Sequence, residues 1–417
     1  MDKFVIHGGK KLYGTVAISG AKNAILPLLA ATLLAPGSYS FSNVPNLRDV
    51  RTMVRLLTQM GVTTKISDNN LDVTVPEKHS LEAPYDLVRT MRASFYVLGP
   101  IVARFGYGKV SLPGGCAWGP RPVNFHLEGL KKMGVDIEID QGYVIGKCDQ
   151  LHGAHISFDI PSVGATGNLL MAATLAKGTT ILENVAMEPE IQQLAEFLIK
   201  MGAQISGIGT KQFEVIGVPS LHPASMEIIP DRIEAGTYLA CAAIAGGEVT
   251  ITNVNPDYLS AVLSKLESAG VNLTQNEDRI RIQSDGRLNP INITTDVYPG
   301  FPTDMQAQWI AMMTTARGSS TITDKIYFDR FTHVSELNRL GANIEVDGNT
   351  AIVRGVAELK GATTMSTDLR ASASLILAGL IAQGKTEILR VYHIDRGYEK
   401  IEEKLRGLGA DIQREKE

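Results

Sequence analysis

The chain has 417 residues, 44% of them apolar and 20% charged, and carries a formal charge of −4 at pH 7. That is a globular composition with ample core, long enough for two or three domains. A near-neutral balance without a Lys/Arg block argues against a large nucleic-acid or anionic-membrane footprint, and no apolar run approaches the roughly 20 residues that span a bilayer.

Cys116, Cys148 and Cys241 give neither a disulfide framework nor metal-ligand spacing. The opening Met-Asp-Lys-Phe-Val-Ile-His lacks the build of a signal peptide. Together these point to a reducing, cytoplasmic setting.

Taken in order, the chain repeats one unit six times. A helix end, a Gly, a small or β-branched residue and a strand recur at Gly61, Gly134, Gly202, Gly270, Gly341 and Gly409. The intervals are 73, 68, 68, 71 and 68 residues. Gly ends a helix well because it takes the left-handed conformation without a Cβ penalty. Each unit opens with a helix apolar on all sides, such as 168–176, followed by a strand such as 179–184. An amphipathic helix such as 190–201 leads to the Gly anchor, and strands joined by turns such as Asp347-Gly348 close the unit. Cys241 lies in one of the apolar helices and Cys148 follows a hairpin pattern, both as packing residues.

The two ends complement each other. After Gly409 the tail supplies one strand, where other units continue with a segment like Phe213-Glu-Val-Ile-Gly217. The N-terminus holds the missing piece, Phe4-Val-Ile-His-Gly-Gly9, followed by 12–18. The expectation is an α/β protein with three units in 22–229 and three more in 230–417, completed by 1–21. A six-unit solenoid would need distinct caps instead.

Aligned on the Gly anchors, the apolar helices all begin at a polar or charged residue, namely Lys22, Arg92, Ser162, Arg232, Asp304 and Arg370. Equivalent helix ends should gather, three to a domain, and line one cleft if the domains face each other. Helix N-termini offer unpaired N–H groups and about half a positive charge each, an environment for phosphate. The cations there have the wrong sign to stabilise a helix dipole, so an anionic ligand is their reason. Arg48, Arg121 and Arg396 each stand 13 residues before an anchor, and an Arg fork suits carboxylate and phosphate. Arg48, beside Asp49, reads as a surface ion pair. Asp304 is either a helix cap, a role Thr303 could take instead, or a base for a substrate hydroxyl. Asp231 and Glu234 receive no role.

Between Pro113 and Pro122, six of ten residues are Pro or Gly, which excludes a helix or central strand. A surface loop remains, carrying Cys116, Trp118 and Arg121 and able to open and close over a site.

Ser19-Gly-Ala-Lys-Asn-Ala-Ile-Leu-Pro27, Arg89-Thr-Met-Arg-Ala-Ser94, Pro113-Gly-Gly-Cys116, Arg121-Pro-Val, Pro161-Ser-Val-Gly-Ala-Thr166, Gly300-Phe-Pro-Thr-Asp304, Asp368-Leu-Arg370 and Asp395-Arg-Gly-Tyr-Glu399 together resemble the UDP-N-acetylglucosamine enolpyruvyl transferase family over nearly the whole chain. The resemblance implies two inside-out α/β barrel-like domains of three pseudo-symmetric repeats each, with the site in the cleft between them. It implies transfer of the enolpyruvyl group of phosphoenolpyruvate to the 3-hydroxyl of UDP-N-acetylglucosamine, with release of phosphate, at the start of peptidoglycan precursor synthesis.

By the same resemblance Cys116, Asp304 and Lys22 are catalytic. Lys22, Asn23, Arg121, Arg370 and Arg396 meet phosphoenolpyruvate. Arg92, Arg121, Pro122, Val123, Asn124, Phe125, Ser162, Val163, Gly164, Asp304 and Ile326 meet the nucleotide sugar. No metal or organic cofactor is implied, and the partners are these two small molecules, without nucleic acid or membrane insertion. The chain departs from the family at Asn124, where Asp is usual, and at Ala117-Trp118, which is bulkier than expected. The related 5-enolpyruvylshikimate-3-phosphate synthases lack the Pro-Gly-Gly-Cys loop.

Overall fold

A computed structural model describes residues 2–112 and 123–416. The chain divides into two compact units, Gly20–Ile229 and Met1–Ser19 with Pro230–Glu417. Each contains three four-stranded sheets.

All six sheets share one plan. In 155–216 the strand His155–Ser157 pairs parallel with Thr179–Glu183. That strand pairs antiparallel with Gln212–Ile216, which pairs antiparallel with Gln204–Ser206. The strand Gln212–Ile216 alternates between solvent and core, with Phe213 and Val215 fully buried. The sheets face the interior on one side only. No closed barrel forms among the described residues, because the six sheets are separate. The domains are therefore barrel-like in layering, with helices inside and sheets outside.

The N-terminal strand Asp2–His7 lies between Lys385–Leu389 and Asp411–Lys416, pairing Phe4 with Ile388 and Val5 with Gln413. It fills the place that Gln212–Ile216 fills in its own sheet. Leu12–Ala17 adds the parallel strand to Gly247–Thr252. In the other unit, Ser225–Glu227 returns to pair with Gly37–Ser42. Both units thus close by borrowing a strand from a distant stretch of chain.

The apolar helices form the interiors. Lys22–Ala31, Val163–Ala173, Arg232–Ala245, Gln306–Met313 and Leu369–Ile381 are buried nearly all round. The amphipathic helices, such as Pro189–Lys200, bury one face. Each buried large aliphatic or aromatic side chain contributes roughly 1.5–3 kcal/mol. The six anchor glycines all sit in the left-handed region, with φ of 98, 93, 103, 96, 92 and 97° in chain order. Each lets its chain leave a helix and enter a strand directly.

Candidate active site

The six residues singled out by the alignment all stand at helix starts. Lys22 opens Lys22–Ala31. Arg92 opens the 3-10 turn Arg92–Val97, which continues as Leu98–Phe105. Ser162 caps Val163–Ala173, its hydroxyl accepting from Ala165 N–H at 3.3 Å. Arg232 follows the cap Asp231. Asp304 lies in the turn Thr303–Met305 before Gln306–Met313, and Arg370 follows the leading residue of Leu369–Ile381.

Within Gly20–Ile229, the stretches expected at the nucleotide sugar come together. Asn168 uses one amide N–H on Phe95 O and the other on His126 Nδ1 at 2.9 Å, while its Oδ1 accepts Gly99 N–H at 2.8 Å. A Cβ on Gly99 would lie 2.2 Å from Asn168 Oδ1, so only glycine allows this approach. His126 belongs to Asn124–Lys132, the helix carrying Asn124 and Phe125. Its Nε2 edge faces Gly164. Tyr96 donates to Val163 O at 3.3 Å. One side chain thus links the segments of Arg92, of Val123 to Phe125, and of Ser162 to Gly164. Burial, aided by the Arg92 charge, pushes His126 down to about 3, so its ring stays neutral. Asn124 Oδ1 is buried and accepts no hydrogen bond among the described residues.

Lys22 Nζ lies 3.6 Å from Asp49, both largely buried. Asp49 thus faces Lys22, 27 positions earlier in the chain. Asn23 follows Lys22 in the same helix turn.

In the other unit Asp304 is held from two sides. Arg330 Nη2 reaches its Oδ1 and Arg370 Nη2 its Oδ2, each at 2.7 Å. The two guanidiniums are almost fully buried, while the carboxylate is 27% exposed. Burial alone would raise its pKa, but the charges of Arg370 and Arg330 win and hold it well below the usual carboxylate range. Asp304 makes no cap bond to its helix, and neither does Thr303. The Thr303 hydroxyl donates instead to Asp324 Oδ2 at 2.7 Å and accepts from Arg330 Nη1 at 2.9 Å.

Asp324 is fully buried. Its Oδ1 also accepts the Thr295 hydroxyl and the N–H groups of Ile326 and Tyr327 at 2.8–2.9 Å. The Ile326 loop is therefore tied to Asp304 through two side chains. Arg370 Nη1 rests on Tyr398 O–H at 3.1 Å. Arg396 closes the turn Val391–Arg396, two residues before Tyr398. Gly397 packs against Leu369, which brings that turn onto the start of the Arg370 helix. Cys116, Arg121 and Pro122 lie outside the described residues. Cys148 is half-buried and Cys241 buried.

Sequence reasoning missed Arg330, Asp324 and Tyr398. One signal was present. Asn43, Asn184 and Asn253 follow the equivalent strand in three repeats, each at positive φ, and their amides donate to the carbonyls of Ile228, Phe158 and Ile18. Asp324 stands where those repeats have Asn. Asp231 and Glu234 also gain roles. Asp231 caps its helix through Ile233 and Glu234 N–H. Glu234, buried, takes Ser19 N–H and Lys404, each at 2.7 Å.

Over residues 6–405 the chain matches the family of EPSP synthase (3-phosphoshikimate 1-carboxyvinyltransferase). The crystal structure of the enolpyruvyl transferase NikO from Streptomyces tendae superposes with a TM-score of 0.90 at 26% identity, covering 99% of this chain and 98% of that one. EPSP synthase from Acinetobacter baumannii, at 18% identity and a TM-score of 0.77 over the whole of both chains, shares the fold. Fold and site thus define a carboxyvinyl transferase. The UDP-N-acetylglucosamine 1-carboxyvinyltransferase of Prosthecochloris aestuarii is 56% identical over all of this chain and 98% of its own length. That of Geobacter metallireducens is 54% identical over all of both. The chain belongs to the UDP-N-acetylglucosamine 1-carboxyvinyltransferase family.

Proposed function

We propose that the protein transfers the enolpyruvyl group of phosphoenolpyruvate to the 3-hydroxyl of UDP-N-acetylglucosamine and releases phosphate. The observation that carries this reading is the Asp304 carboxylate at a helix start, ionised between Arg330 and Arg370, in a chain more than half identical to its named relatives over its full length.

The reaction needs an acid, a base and a counter-charge. Phosphoenolpyruvate brings close to three negative charges, which Lys22, Arg121, Arg370 and Arg396 balance. Cys116 gives a proton to the methylene carbon, leaving a cationic centre at C2. The sugar oxygen bonds to C2 as its proton passes to Asp304. In the elimination a proton from the methyl carbon returns to the Cys116 thiolate as phosphate leaves with the proton held by Asp304, restoring the double bond and both side chains. Arg92, Val123 to Phe125, Ser162 to Gly164 and Ile326 hold the nucleotide sugar, with the Asn124 amide in place of the usual carboxylate. This function places the enzyme in the cytoplasm at the start of peptidoglycan precursor synthesis, upstream of cell shape and division.

The test is phosphate release from phosphoenolpyruvate with each acceptor in turn. Release that requires UDP-N-acetylglucosamine is expected. Release with shikimate 3-phosphate instead, or with neither, overturns the assignment.

A further inference from the structure

Arg414 stands on the last strand, Asp411–Lys416, and no step of the reaction uses it. Its guanidinium nonetheless holds three carboxylates. Both terminal nitrogens donate to Asp395, at 2.5 and 3.1 Å. Its Nε donates to Glu402 at 2.8 Å, and Nη1 reaches Asp2 at 3.5 Å. Strand pairing sets Arg414 opposite Phe4, whose ring centroid lies 5.0 Å from the guanidinium carbon. An exposed ion pair contributes little unless it is bidentate or part of a network. This one is both, and the Arg414 side chain is only 25% exposed.

Asp395 immediately precedes Arg396 in the turn Val391–Arg396. That turn follows Arg390 directly and precedes Lys400, and these two residues are left-handed, with φ of 58 and 47°. Residues with a Cβ resist that conformation. Contacts, more than local preference, therefore set the path of 390–400. On the core side Val391, Ile394 and Tyr398 are buried. On the solvent side the Arg414 fork ties the turn to the sheet. The strand that carries Arg414 is paired with Asp2–His7 along six residues, which makes it a firm base for the fork. Glu402 and Asp2 hold the other edges of the guanidinium, so its direction is fixed as well.

We propose that Arg414 is a positioning residue for phosphoenolpyruvate: by fixing Asp395 it holds the turn that presents the Arg396 charge to that anion. This rests on the proposed function and deepens it, since it gives the last strand a part in the affinity for one of the two substrates. The effect passes through Asp395 and needs the planar fork. A lysine ammonium is a point charge and cannot hold both carboxylate oxygens while also serving Glu402.

The test is steady-state kinetics of the whole chain, read as the KM of each substrate. Arg414→Gln should raise KM for phosphoenolpyruvate about five- to tenfold, part of what one charged hydrogen bond contributes, with KM for UDP-N-acetylglucosamine within about twofold. Arg414→Lys should raise it nearly as much. Asp395→Asn leaves Arg414 on Glu402 and Asp2 and loosens the turn alone, so it should raise the same KM about threefold; it also carries the test if Arg414→Gln does not fold. Glu402→Gln keeps the fork on Asp395 and should leave both KM values within about twofold. In an Arg396→Lys background, Arg414→Gln should add less than about twofold, because the group it positions has already been replaced. Unchanged KM for phosphoenolpyruvate overturns the proposal. So does an equal rise for both substrates, a rise with Glu402→Gln that matches Asp395→Asn, or an undiminished increment in the Arg396→Lys background, each of which makes Arg414 structural only. If phosphate release requires a different acceptor, the proposed function falls, while KM for phosphoenolpyruvate measured with that acceptor still decides the role of Arg414.

Discussion

Lys22 and Asp304 occupy the same place in the repeat, the start of a buried helix, with opposite charges. Lys22 is a cation that faces a carboxylate, Asp49 at 3.6 Å. Asp304 is a carboxylate steadied by two cations at 2.7 Å. The backbone contributes about half a positive charge in both places. The side chain sets what that potential does. In the proposed function it sums with Lys22 to an anion seat, and with Asp304 it helps to keep the proposed base ionised. Repetition of the fold supplied the positions, and divergence of single residues supplied the chemistry.

The largest test of this contrast is a pair of substitutions. Asp304→Asn should lower kcat by about 10²–10⁴-fold, the usual contribution of a positioned base, with nucleotide-sugar affinity within threefold by calorimetry. Lys22→Met should act on the other substrate, raising KM for phosphoenolpyruvate about 10- to 100-fold through loss of a charged hydrogen bond. If both substitutions act on the same parameter of the same substrate, the two helix starts do not divide the work.

A smaller effect follows from two buried rings, one in each unit. His126 and His333 are both held down to about 3 in the folded state, against about 6.5 when unfolded. Above pH 6.5 neither state takes up these protons and stability is unaffected. Below it the unfolded chain binds protons that the folded chain refuses, so stability falls as pH falls, by about 1.4 kcal/mol per pH unit for each ring. Thermal unfolding between pH 7 and 4.5 should show this slope, and His333→Phe should remove about half of it. An unchanged slope would mean that His333 is protonated in the folded protein.

The smallest prediction isolates the repeat itself. A Cβ at Gly341 would meet nothing within 4 Å, yet φ is +92°. Gly341→Ala should therefore cost about 1–2 kcal/mol from conformation alone, read as a lowered denaturation midpoint with unchanged kcat. No loss would mean that the anchor tolerates a right-handed exit from its helix.

The repeat was legible in the sequence because its signals are local. A Gly ending a helix, an apolar run and a polar residue at its start each lie within a few positions of one another. The six helix starts were found this way, and so was the N-terminal strand that completes the last sheet. What stayed hidden joins distant residues. Arg330 reaches Asp304 across 26 positions, Asp49 reaches Lys22 across 27, and Lys404 reaches Ser19 across 385. No periodicity encodes such pairs, because packing decides them. Asp304 illustrates the limit, since its sequence position left a cap and a base both open, and only its contacts with Arg330 and Arg370 set the cap aside.

The borrowed strands impose an order on biosynthesis. The Gly20–Ile229 unit draws all its strands from contiguous chain, so it can be finished while translation continues. Asp2–His7 emerges early and must wait for Lys385–Leu389 and Asp411–Lys416, about 20–80 s later at ordinary elongation rates. During that interval the nascent chain carries an unpaired apolar ribbon ahead of a completed unit, a segment for chaperones to shield until the ribosome delivers its neighbours.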